Sequence, residues 1–181
     1  MSLAIWSRAF TCVLLSGLLA GCNPGRDVFP PVCPRPGLPA ETGDVSAYRE
    51  GTTGGHLTDL LYSGRMMGIQ GQCKLDPDNK YSLRSTVQFS VELTRGPALQ
   101  GRSVAVPVYL AVTEGTQILN KRIIVLRAVF PPNVDRTNIT TGELELTLPI
   151  SPTRSGAAYS ILAGFQLTPE QLQATRARAR Q

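Results

Sequence analysis

Few side chains in this 181-residue chain suit acid–base, nucleophilic or metal chemistry: one His and four Cys stand beside 13 Asp and Glu. A Ser–His–acid triad would have to use His56, which follows the Gly-rich stretch Gly51-Thr52-Thr53-Gly54-Gly55. No Gly-x-Ser-x-Gly elbow is present, since Arg154-Ser155-Gly156 lacks the flanking glycine. His56 therefore reads as an exposed loop residue beside a helix cap. Glu143 and Glu145 have the spacing of a carboxylate pair on one strand face, and simple alternation already explains them as the solvated side of a sheet. Asp76, Asp78 and Asn79 begin like a calcium loop, but Lys80 stands where an oxygen ligand is needed and Tyr81 where a Gly is needed, so a tight turn is expected. Zinc is not expected either: Cys33 and Cys73 have no C-x-x-C spacing and only one imidazole is available. Arg127 shares a strand face with Ile123, Val125 and Val129. Buried, it would need a carboxylate or several carbonyls; facing outward, its stem lies over its apolar neighbours, and the outward reading is preferred. Arg176, Arg178 and Arg180 gather charge at the end of the chain. They could contact anionic headgroups at about 1 kcal/mol each, or form a solvated terminus. No aromatic residues interleave them, so nucleic acid is not an expected partner. The expectation is no catalytic residue, no metal and no cofactor.

The N-terminus carries the most specific chemistry. Arg8 precedes an apolar run from Ala9 to Leu19 that is too short for a permanent membrane span and reads as the core of a signal peptide. The run ends in Leu18-Leu19-Ala20-Gly21-Cys22, which resembles the bacterial lipobox, where cleavage leaves the Cys as a lipidated first residue. Several acyl chains, at ~0.8 kcal/mol per buried methylene, hold a protein stably on a membrane without spanning it. Asn23, rather than Asp, follows Cys22, which under the sorting rule this resembles points to the periplasmic face of the outer membrane rather than to inner-membrane retention. Removal of residues 1–21 takes away only Arg8 among the charges, reducing the formal net charge from +5 to +4. It also removes Trp6 and Cys12. With Cys22 lipidated, Cys33 and Cys73 remain as a pair in an oxidising compartment and are expected to form a disulfide closing a loop of 40 residues.

The elements that must position these residues are strands. Residues 22–56 contain Pro24, Pro30, Pro31, Pro34, Pro36 and Pro39 followed by a polar Gly/Thr stretch, and read as a stiff tether and loop. From Leu57 the pattern has period two. Thr86–Leu93 alternates fully, with Val87, Phe89, Val91 and Leu93 on one face. Glu143–Leu148 repeats the pattern. Ser103–Val112 sets Val104, Val106, Val108, Leu110 and Val112 on one face, with Pro107 on the other marking an edge strand or bulge. Ile118–Phe130 is apolar on both faces and reads as a central strand. Tyr159–Phe165 gives the last strand; Leu60–Cys73 gives the first, with Gly64, Gly68 and Gly71 signalling a bend or bulge. Asp76-Pro77-Asp78-Asn79, Arg95-Gly96-Pro97 and Pro131-Pro132-Asn133 supply turns. Six or seven strands without an intervening helix predict an all-β fold, an immunoglobulin-like or fibronectin-like antiparallel β-sandwich over 57–167. Thr168-Pro169-Glu170-Gln171 then carries a capping residue, a Pro at the first helical position and a capping-box Gln, predicting a short basic helix and tail over 168–181.

The chain resembles a group of proteobacterial, in particular alphaproteobacterial, envelope lipoproteins. The resemblance rests on the lipobox, Cys33-Pro34, Gly71-Gln72-Cys73, Leu93-Thr94-Arg95-Gly96-Pro97 and Gly164-Phe165-Gln166-Leu167-Thr168-Pro169-Glu170-Gln171-Leu172, and covers residues 33 to 175. It implies an envelope lipoprotein and brings no activity, cofactor or catalytic residue with it. The expected role is non-enzymatic: a lipid-anchored scaffold or accessory subunit with an envelope protein partner, or alternatively a module binding an envelope glycan or lipid. An accessory subunit predicts a long unpaired edge strand or a large apolar outer patch, a ligand binder an aromatic-lined concavity, and an enzyme a cleft with perturbed titratable groups.

Overall fold

A computed structural model describes residues 31–52 and 56–178. The signal peptide, lipobox and Cys22 lie outside the described residues, as does Arg180.

Among the described residues, nine strands and one α-helix follow in chain order: β1 (Arg35–Gly37), β2 (Asp44–Tyr48), β3 (Leu60–Leu75), β4 (Ser82–Arg95), β5 (Ser103–Glu114), β6 (Gln117–Val129), β7 (Arg136–Thr140), β8 (Leu144–Pro149), β9 (Tyr159–Phe165) and α1 (Pro169–Arg178). They form two sheets. The four-stranded sheet has the order β1-β9-β5-β6; the five-stranded sheet has β2-β3-β4-β7, with β8 also on β4. All pairings are antiparallel except β1 with β9. The alternation on β4 does what its pattern requires: Val87, Phe89, Val91 and Leu93 are buried. They join one core with Val106, Val108, Leu110 and Val112 of β5 and Tyr159, Ile161, Ala163 and Phe165 of β9. Each such large side chain contributes about 1.5–3 kcal/mol through burial.

Three features depart from the sequence reading. Residues 35–48, read as tether and loop, supply β1 and β2 and belong to the two sheets. The Pro density gives way there because three-residue β1 needs few backbone donors and sits at a sheet edge. Pro107, read as marking an edge strand or bulge, lies in β5 between β9 and β6. Its carbonyl accepts the Gln166 N–H, so its nitrogen faces the same side, one residue past the end of the β5–β9 ladder at Val108↔Phe165. Lacking an N–H to return to Gln166, the proline ends the β5–β9 ladder there. The third departure concerns β6, which is an edge strand rather than a central one.

The glycines of β3 do mark a bulge. The register shifts between Met66 and Gly68, leaving Met67 as the extra residue. Core-facing residues then change from Tyr62, Gly64 and Met66 to Ile69, Cys73 and Leu75, which explains the irregular pattern of that run. The long edge of β4 is covered end to end by two short strands, with β8 on Ser82–Val87 and β7 on Ser90–Thr94. Between them Thr141 bridges the break: its N–H donates to the Phe89 carbonyl and its Oγ1 accepts the Phe89 N–H. The C-terminal signal forms as written. The Thr168 N–H donates to Gln171 Oε1 at 2.9 Å and the Gln171 N–H donates to Thr168 Oγ1 at 3.3 Å. No helix among the described residues is long and apolar enough to cross a membrane.

Candidate functional site

The surface that stands out is the outer edge of the four-stranded sheet. β5 and β6 form a hairpin closed by Gly115-Thr116, with Glu114 opposite Gln117. Gly115 has φ 56°, a conformation that a glycine at the first central position of a two-residue hairpin supplies without steric cost. From there β6 runs 13 residues with β5 as its sole ladder partner among the described residues, because the next segment, 131–135, carries the chain to β7 in the other sheet.

Which backbone groups of β6 are free follows from alternation. The Phe130 N–H donates to the Arg102 carbonyl, so the even-numbered residues before it bond to β5. The N–H and C=O groups of Lys121, Ile123, Val125, Arg127 and Val129 therefore point away from the sheet. Their side chains share the outer face. Ile123, Val125 and Val129 are 59%, 55% and 62% exposed, and near the hairpin tip Ile118 and Leu119 are 62% and 41% exposed. The inward row is different: Leu126 and Ala128 are buried against the core. A run apolar on both faces reads as central, yet here no described residue covers the outer apolar face.

The charge on this strand has one sign. Lys121, Arg122 and Arg127 lie between Glu114 and Asp135 with no acid in the interval. None of the three forms an ion pair with the described residues. Lys121 Nζ sits 4.7 Å from the centroid of the Tyr109 ring, a cation–π contact that fixes its stem along the outer face. Arg127 is exposed beside Val125 and Val129, in the outward position preferred from the sequence.

The other edges are blunted in ways that natural sheets commonly use. β1 has three residues, one of them Pro36. β2 has five and a register shift between Ala47 and Tyr48. β7 and β8 are short and interrupted. β6 is the long edge without a bulge or proline along Lys121–Val129. Sequence reasoning missed it because periodicity reports how apolar a strand is, not what lies beside it. The signal available was the two-residue gap Gly115-Thr116, which fixes β6 beside β5, followed by a Pro-Pro turn that leads away.

The residues singled out in the sequence scatter. Cys33 and Cys73 are joined by a disulfide with Cα atoms 5.6 Å apart, tying the segment before β1 to β3. Arg176 is held by Glu41, with Nε 3.2 Å from Oε1 and Nη2 3.0 Å from Oε2. That pair draws the Glu41 pKa below its ordinary value, first through the hydrogen bond and then through the guanidinium charge. Arg176 is thus engaged within the domain rather than free for an anionic surface, while the backbone of Arg178 ends α1. His56 is exposed at the start of the 3₁₀ turn Leu57–Asp59. Asp76 Oδ1 accepts the Asp78 N–H and lies 3.3 Å from Arg84, forming an ordinary turn. Glu145 is exposed, and Glu143 lines an open groove of about 310 Å³ beside Gln70, Gln72, Lys74, Arg84 and Gln88. A second groove lies over β2 and β3 by Asp44, Arg65 and Glu92. Neither is lined by an aromatic ring. Among the described residues no three His, Cys, Asp or Glu side chains gather as a metal site would require.

Comparison with known protein families, curated proteins and solved structures found no match to this chain.

Proposed function

We propose that the protein is a lipid-anchored, non-enzymatic binding module of the cell envelope, a scaffold or accessory subunit that receives a protein partner along β6. The single observation that carries this reading is the long bare edge of β6 with its exposed apolar row. A soluble domain gains nothing from leaving such an edge open, and the same edge is a template for another chain. The anchor rests on the lipobox-like Leu18-Leu19-Ala20-Gly21-Cys22 and on Asn23, which together favour the periplasmic face of the outer membrane. The two readings fit together spatially. The chain enters the described domain through β1, at the opposite edge of the four-stranded sheet from β6 and about 14 Å away at ~4.8 Å per strand. An immunoglobulin-like outline for the sandwich is supported by its two mainly antiparallel sheets sharing one core. The alternative, recognition of an envelope glycan or lipid, has less support because the two grooves offer no aromatic platform.

The test is photocrosslinking in intact envelopes from a benzoylphenylalanine at position 125, compared with position 147 on β8, combined with palmitate labelling. We expect a discrete protein adduct from 125 and none from 147, and loss of label in Cys22→Ala. Equal adducts from both positions, or none from 125, would refute partner binding at β6. Retained label and membrane fractionation in Cys22→Ala would refute the anchor.

A further inference from the structure

We infer that the occupant of the β6 edge is an extended, acidic segment of another protein, added to the sheet as a fifth strand. This inference rests on the partner-binding reading above and names the chemistry of the partner. Three kinds of occupant meet different physical obstacles at this edge. A lipid surface would accept Ile123, Val125 and Val129, but it cannot satisfy the N–H and C=O groups of 121, 123, 125, 127 and 129, which point outward along the edge. A strand satisfies all of them. A second copy of this chain supplies such a strand, but its β6 brings Lys121, Arg122 and Arg127 again, so six cations would share a seam with no acid between residues 115 and 134 of either copy. Like charges along a strand pair are destabilising, and cations on an edge are a device against self-association. An acidic strand turns the same three cations into attractive contacts.

The register gives the pattern of the partner. Side chains of an added strand lie directly opposite those of β6. Facing Lys121, Ile123, Val125, Arg127 and Val129, the complementary outer row is acid, apolar, apolar, acid, apolar, with the two acids six residues apart. Spanning 121–129 takes about nine residues, or roughly 30 Å of extended chain. The Tyr109 ring beneath Lys121 positions one cation for this contact, and the outward Arg127 provides a planar fork suited to a carboxylate.

The experiment uses the full-length chain in neutral detergent and a fluorescein-labelled peptide, Val-Thr-Glu-Thr-Val-Thr-Val-Thr-Glu, whose antiparallel docking sets its two Glu opposite Arg127 and Lys121, read by anisotropy. A counterpart carries Lys for both Glu. We expect saturable binding of the Glu peptide, weakened by salt, and binding of the Lys peptide weaker by about ten-fold or more. Arg127→Glu should abolish most of that preference, since each peptide then meets one attractive and one repulsive contact. Val125→Pro removes one outward N–H without touching the β5 ladder. It should abolish binding while leaving the thermal midpoint close to that of the unaltered chain, as proline is tolerated where a strand N–H faces solvent. Equal binding of both peptides, no binding of either, or full binding by Val125→Pro would overturn strand addition by an acidic segment. So would adsorption to phosphatidylglycerol vesicles without peptide binding, or a salt-independent dimer lost in Arg127→Glu. If photocrosslinks from position 125 persist while the peptides fail, the partner remains and its proposed chemistry falls; if the crosslinks are also absent, both readings fall.

Discussion

Removal of the Cys33–Cys73 bond should cost this fold about 4 kcal/mol, through the unfolded state. The perturbation is Cys33→Ala with Cys73→Ala. The bond closes a loop of 40 residues, which contains β1, β2 and most of β3. In the chain-entropy argument, releasing a loop of that size returns to the unfolded chain the freedom worth that amount, and the stability of a domain this size is ordinarily about 5–15 kcal/mol. The native state should change locally. β1 is held to β9 by three paired residues, Arg35, Pro36 and Gly37 opposite Ser160, Ile161 and Leu162. Without the bond, β1 should exchange its amide hydrogens faster than β9 while the core strands stay protected. The assay is urea unfolding at equilibrium. With a slope of ~2 kcal/mol/M, the midpoint should fall by about 2 M, and the slope itself should rise because an uncrosslinked unfolded chain exposes more surface. A double Ser variant should match the double Ala variant, since loop entropy is indifferent to the replacement. A loss below about 1 kcal/mol would refute the reasoning, as would a large difference between the two replacements, which would place the effect in local packing.

Four further outcomes test the packing and the electrostatics. Phe89→Ala, at a site 2% exposed between the sheets, should destabilise by about 3–5 kcal/mol in urea unfolding, and a loss under ~2 kcal/mol would show a core that readily collapses around the cavity. Gly96→Ala would drive its Cβ into the Leu60 carbonyl oxygen, a backbone atom that cannot rotate away, and should cost about 1–3 kcal/mol; a neutral effect would contradict that close approach. Thr168→Ala breaks one arm of the capping box and should cost about 1 kcal/mol, read as faster amide exchange in α1 with the sheets unaltered. The Glu41–Arg176 contact should act only above acid pH. The pKa of Glu41 is lowered on folding, so its contribution is present above the ordinary carboxylate value of 4.5 and is lost as pH falls through the lowered folded value. Arg176→Gln should raise the Glu41 titration midpoint, followed by carbon NMR, toward that ordinary value; an unmoved midpoint would remove the pair as its cause.

What was legible before folding is whatever neighbouring residues encode. Alternation over Thr86–Leu93 defined the core face of β4, because side-chain direction in a strand has a period of two regardless of what packs on it. Thr168 to Gln171 specified the start of α1 because the capping box is closed within four residues. The Cys count, read with the lipobox-like motif, left one pair, and that pair is joined. Features that depend on residues far apart in the chain emerge only once the chain is folded. Ile118–Phe130 looks like a buried central strand since its side chains are apolar on both faces; only the strand order β1-β9-β5-β6 makes it an edge and leaves Ile123, Val125 and Val129 in solvent. Pro107 looks like an edge marker until its nitrogen is seen to fall past the end of the β9 ladder. Arg176 looks like a free cation of the tail until Glu41, 135 residues earlier, is folded against it. Hydrophobicity is a property of a residue, whereas exposure and pairing belong to its neighbours, and the neighbours of β6 are set by the path of the whole chain.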